Sequence, residues 1–159
     1  MREILFRGKR KDSSEWVEGR LLAADVIVPS GQEFSLEANC IYGCDKPIIG
    51  YEVDEETVGQ FTGLTDKNGK KIFEGDIVRA QGFARVMLKH WGMKDDAAYL
   101  QNKPEYELYK IKFNEGKFQL FTFRNESGAI LNWGQNGDAN TLEVIGNIHD
   151  NHELLKVQN

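Results

Sequence analysis

Cysteine, histidine and proline are scarce in this chain, and long apolar runs are missing. Its 159 residues include 2 Cys, 3 His and 3 Pro. Two cysteines exclude the dense disulfide framework by which small secreted domains compensate for a thin core. The spacing of Cys40 and Cys44 offers half a zinc site, but a structural zinc takes four ligands, and only His90, His149 and His152 could complete it. Two reduced thiols is the simpler reading. No apolar stretch approaches the roughly 20 residues of a membrane helix. The opening Met1-Arg-Glu-Ile-Leu-Phe-Arg7 also lacks the apolar core of a secretory signal. These absences lead us to expect a cytoplasmic protein with no membrane partner. Positive charge is short as well: 20 Lys and Arg stand against 25 Asp and Glu, a net charge of −5. That balance works against a broad nucleic-acid footprint. There is no Walker loop, no Gly-x-Ser-x-Gly elbow, no dinucleotide fingerprint, no His-Glu-x-x-His helix and no internal repeat.

What the chain does have is turn chemistry, set between short β-like runs. Residues 2–22 read as a hairpin, with Ile4 and Phe6 on one face of the first strand and Trp16 as the largest apolar side chain of the second. Asp25–Val28 is a strand stopped at Pro29, and 32–36 and 39–43 read as two short strands. Asp54-Glu-Glu-Thr57 carries the signal of a single helical turn, acidic residues at the positive end of a helix dipole. Asp66-Lys-Asn-Gly69 is a hairpin turn, because Asn and Gly tolerate positive φ. Glu74-Gly-Asp76 turns the chain again before Ile77-Val78. Tyr106–Phe113 and Lys117–Phe123 form the clearest hairpin, in which Tyr109, Ile111 and Phe113 share a face and Gly116 supplies the turn. Apolar residues on both faces of the return strand imply that both are covered. Residues 125–140 read as loop around Ile130–Trp133, followed by a strand over 142–148 and a short helix over 152–156 capped by Asn151. The expected fold is mainly β: a small barrel-like or sandwich domain spanning 1–159, with an inserted excursion at about 83–105.

Chemistry-bearing clusters are few. His149 and His152 are the most metal-like pair, three residues apart, but they straddle a strand end and a cap. Glu74 and Asp76 form a carboxylate pair, although carboxylates beside Gly are what turns use. Arg7, Lys9, Arg10 and Lys11 gather in the first hairpin as a basic run, which usually marks a solvated tip.

Three pieces of sequence together resemble the YopX family of small proteins from bacteriophages and prophages. These are Phe6-Arg-Gly-Lys-Arg10 with Glu15-Trp-Val-Glu-Gly19, then Val53-Asp54 with Thr57–Val78, and last Glu143–Ile148 with Asn151 and Glu153-Leu-Leu155. The central piece is the most specific, and residues ~80–140 match loosely. His152 stands where the family often has proline. The resemblance implies a β-rich domain, a phage or prophage origin and homo-oligomers, and it carries over no activity and no catalytic residues. Trp16, Gly19, Gly59, Gln60, Gly63, Asp66, Asn68, Gly69, Glu74, Gly75 and Asp76 are then expected to be turn and core positions. No cofactor and no metal are expected. The leading functional reading is a non-enzymatic oligomeric module that binds a protein partner, with Arg7, Lys9, Arg10, Lys11, Trp91 and Tyr99 as its candidate surface. A nucleic-acid-binding small barrel that stacks bases on Trp16, Trp91 or Trp133 is the first alternative. A metal-dependent enzyme is the second.

Overall fold

The computed structural model describes residues 4–30, 50–81, 105–122, 131–132 and 141–156. Among the described residues there are ten strands: β1 (Phe6–Arg10), β2 (Trp16–Ala23), β3 (Val26–Pro29), β4 (Tyr51–Thr65), β5 (Lys71–Phe73), β6 (Asp76–Gln81), β7 (Tyr106–Asn114), β8 (Lys117–Thr122), β9 (Leu131–Asn132) and β10 (Glu143–Asn147). They form two antiparallel five-stranded sheets, ordered β1-β2-β3-β4-β5 and β10-β6-β7-β8-β9. The mainly β expectation holds. The chain divides into two compact units, Met1–Phe61 and Thr62–Asn159.

In the first unit, β1 is bonded along both edges, to β2 through Phe6↔Gly19 and to β4 through Phe6↔Gln60. With β2 paired to β3 and β3 to β4, these four strands are linked edge to edge in a ring. Leu5, Ile27, Val28, Val53 and Phe61 make the apolar interior. So small a ring has little room inside. A Cβ on Gly8 would sit 3.0 Å from Val53 and 3.1 Å from Ile27, so glycine there leaves the space those side chains fill.

Asp54–Thr57 is not a helical turn. Two steps along β1, Arg7 to Lys9, match five along β4, Gly59 to Asp54, so β4 accommodates three extra residues as a bulge. The same side chains that suggested a helix start hold the bulge. Asp54 Oδ1 accepts from Glu56 N–H, Thr57 Oγ1 donates to Asp54 O, and Lys9 N–H donates to Thr57 Oγ1 at 2.8 Å in place of a ladder bond. Because β1 and β3 both template β4, the local signal yields to the sheet.

The second unit packs Ile72, Val78, Ala80, Tyr109, Ile111, Phe118, Leu120 and Leu142 into its core, with Val144 against them. Fully burying such side chains contributes about 1.5–3 kcal/mol each. Gln119 and Phe121, which point to the other face of β8, are buried too, in agreement with a strand covered on both sides. The β7–β8 turn places Glu115 at φ 49° and Gly116 at φ 78°, the two left-handed residues of a type I′ hairpin.

The C-terminal helix is also replaced. Leu154, Leu155 and Lys156 donate to carbonyls three residues back, giving consecutive turns over 152–156 and no α-helix. Five residues are too few to nucleate a helix unaided. The expected cap is spent elsewhere, because Asn151 Oδ1 accepts from Asn147 N–H behind it.

Candidate functional site

The basic hairpin of the first unit is assembled as expected, but its cations are largely used within the chain. Arg10 grips Asp12 with two hydrogen bonds, 2.9 and 2.6 Å, and its guanidinium lies 3.9 Å from the centre of the Tyr51 ring. Lys11 pairs with Asp25 at 2.9 Å. The hydrogen bond to Lys11 holds the Asp25 carboxyl below the usual range, and that to Arg10 does the same for Asp12. Arg7 stacks 4.7 Å from the centre of the half-buried Trp16 indole. Lys9 lies between, opposite Trp16 on β2 and Asp54 on β4. Gly59 and Gln60 are the β4 residues opposite Arg7 and Phe6. Gly19 faces Pro29, and a Cβ on it would fall 1.8 Å from the Val28 carbonyl oxygen. Only glycine lets β2 and β3 approach this closely.

The second unit gathers the central motif into two polar clasps on β10. In the first, Asp66 is 3 % exposed, and its Oδ1 accepts from Asn68 N–H at 2.8 Å and Lys70 N–H at 2.9 Å. Its Oδ2 accepts from Val144 N–H of β10 at 3.0 Å. Burial pushes this carboxyl up, but the three backbone N–H groups outweigh it, and the net effect holds Asp66 below its ordinary range. Gly69 closes the turn at φ 81°, and Lys67 donates through its backbone to Leu142 and through its ammonium to Glu143. Arg79 bonds the same Glu143 carboxylate. Gly63, at φ 86°, precedes this turn on β4.

The second clasp is built on Glu74-Gly75-Asp76. Glu74 Oε1 accepts from Phe113 N–H and Gly75 N–H donates to Ile111 O, so this turn serves as the partner of β7 beyond the start of β6. Asp76, 1 % exposed, accepts from Phe73 N–H at 2.8 Å and from Asn147 Nδ2 at 3.4 Å. Gly75 O accepts from Ile148 N–H. Gly75 sits at φ 82° beneath Asn147, Ile148 and His149, whose atoms lie 3.5–3.7 Å from where its Cβ would be. Asn147 is the residue whose role sequence reasoning missed. In sequence it is only one residue of the last strand, over 142–148, with nothing local to mark it as a partner of Asp76.

Glu74 and Asp76, read as a carboxylate pair, are thus both hydrogen-bonded to backbone amides. His149 is half-buried over Gly75 and His152 is exposed on the terminal turns. Among the described residues, no group of three His, Cys, Asp or Glu side chains is placed to hold a metal ion. Also among them, no helix is long and apolar enough to cross a membrane. Cys40, Cys44, Trp91, Tyr99, Trp133 and nearly all of the 83–105 excursion lie outside the described residues.

Fold and clasps together define a mainly β protein, its described strands paired antiparallel, whose motif carboxylates accept from its own backbone. The YopX protein family model matches residues 5–156, and the chain belongs to the YopX family. The crystal structure of protein EF1440 from Enterococcus faecalis is similar at 24% sequence identity, over 98% of this chain and 100% of that one, with a TM-score of 0.53. That likeness concerns the fold. No curated protein matches the chain.

Proposed function

We propose that this chain is a non-enzymatic phage or prophage accessory protein that acts in the bacterial cytoplasm as an oligomeric interaction module for a protein partner. The fate of its polar side chains supports the reading most. Asp66 and Asp76 accept hydrogen bonds from backbone and amide donors around them, so the most specific motif is spent on holding strands. A carboxylate committed in this way has no oxygen positioned for proton transfer to a substrate. The motif residues Trp16, Gly19, Gly59, Gln60, Gly63, Asp66, Asn68, Gly69, Glu74, Gly75 and Asp76 are, in this proposal, positions of architecture.

The basic hairpin favours a protein partner over nucleic acid for a related reason. Arg10 and Lys11 already carry carboxylates at 2.6–2.9 Å, and binding phosphate there would first have to break those pairs. The test is a pull-down of the tagged protein from bacterial host lysate, washed at low and at high salt, with light scattering on the eluate. A protein partner that survives high salt, on a protein larger than a monomer, is the expected result. Nucleic acid that comes down at low salt and washes off steeply with salt would overturn the reading.

A further inference from the structure

One face of the β7–β8 hairpin sets two lysines beside two side-chain amides. Lys112 stands directly opposite Gln119, and Asn114 opposite Lys117. Strand alternation places all four on the same side, with Phe121 next to Gln119 by two positions. Gln119 Oε1 accepts from Asn114 Nδ2 at 3.3 Å, and Asn132 of β9 stands opposite Gln119 on its other side. Gln119 Nε2, on a side chain with no exposed area, has no hydrogen-bond partner. A buried donor without an acceptor is costly and calls for explanation. Lys112 holds its ammonium 6.0 Å from the centre of the Phe121 ring, and Lys112 and Lys117 are both exposed. Among the described residues, the strand carboxylate on this side of the sheet, Glu143, is two strands from β7 on β10 and is already held by Lys67 and Arg79. Glu115 lies in the turn itself.

On a protein of net charge −5, a local face with two exposed ammonium groups and an unspent amide donor is complementary to a group that only accepts. We propose that this face binds an acidic segment of a protein partner. Carboxylates of the segment bridge the exposed Lys112 and Lys117, and the Gln119 amide, buried on this face, donates to an oxygen that displaces its cover. Among the described residues the site is small and has no arginine fork, which suits a short carboxylate-bearing segment better than a phosphate backbone. This inference rests on the interaction-module reading above and names the chemistry of its partner.

The probe is a fluorescein-labelled decaglutamate peptide, titrated with full-length protein and followed by anisotropy, beside a labelled single-stranded oligonucleotide. We expect the peptide to bind and the doubly substituted K112E/K117E protein to bind it at least about tenfold more weakly. Lys70→Glu, an exposed lysine on the β4–β5 turn, should leave binding unchanged, and circular dichroism should show all variants folded. Peptide affinity equal in wild type and K112E/K117E, or no peptide binding at all, overturns the proposal, and so does preference for the oligonucleotide on this face. The same variants separate the two readings in lysate. A partner captured equally by wild type and K112E/K117E removes this face while leaving the module intact, whereas capture of no partner removes the module.

Discussion

Asp66 shows how much one buried carboxylate does here. Three backbone N–H groups from two separated segments converge on it. In Asp66→Asn one oxygen can keep the turn bonds, but the other becomes an NH₂ that meets Val144 N–H as donor against donor. We expect a loss of about 1–3 kcal/mol in urea unfolding, with the Lys67–Glu143 contact weakened alongside. The pH dependence follows from the direction of the shift. A carboxyl held low in the folded state contributes stability that is fully present above its unfolded pKa of about 3.9. That stability is lost as pH falls through the folded value. Stability should therefore be flat near neutrality and decline below about pH 4, and Asp66→Asn should show a shallower acid decline than wild type. Glycines supply a second test, because two of them are needed for different reasons. Gly19→Ala forces a methyl to within 1.8 Å of the Val28 carbonyl oxygen, and separating β2 from β3 should cost more than about 2 kcal/mol. Gly69→Ala meets no atom within 4 Å and strains only a φ of 81°, so about 1 kcal/mol is expected. Equal losses in the two variants, measured by thermal unfolding, would show that close approach is not the constraint at Gly19.

At the level of elements, the β7–β8 hairpin was the most legible part of the sequence. Alternation of Tyr109, Ile111 and Phe113 set its face, and Gly116 set its turn, because a period of two and a required left-handed residue are both local facts. Glu115, at φ 49°, is the residue in that turn that fits least well. Asn tolerates this conformation better, and Glu115→Asn should raise stability by about 0.4–1 kcal/mol in the same thermal assay. The Asp66 and Gly75 turns were legible for the same local reason. What those turns hold was not, because Asp66 reaches Val144 and Asp76 reaches Asn147 across more than 70 residues, and no spacing rule encodes such partners. The two misread helices failed differently. Asp54 does make a forward cap bond, to Glu56 N–H, but inside a bulge of β4, whereas Asn151 turns its oxygen back to Asn147 of β10, so a capping side chain signals a helix only where the chain after it is free to wind. The lysine face of β7 and β8 was invisible in sequence for a third reason: Lys112 and Lys117 become neighbours of Gln119 only through the register of the hairpin.

For the whole molecule, the ring of pairings in the first unit bears on how the protein tolerates loss of its start. Most sheets have an outermost strand that can be removed while leaving one edge where there was one before. Here β1 is bonded to β2 on one side and to β4 on the other. Deleting residues 1–10 would uncover two strand edges at once, each a row of unmet N–H and C=O groups able to recruit a neighbouring chain. It would also remove Gly8 and expose Ile27 and Val53. A chain lacking residues 1–10 should therefore aggregate in size-exclusion chromatography at concentrations where the intact protein elutes cleanly. A chain ending at residue 151, stripped of the terminal turns, should not. The protein's self-protection against clumping would then reside in its first ten residues, a segment whose basic run reads in sequence as no more than a solvated hairpin tip.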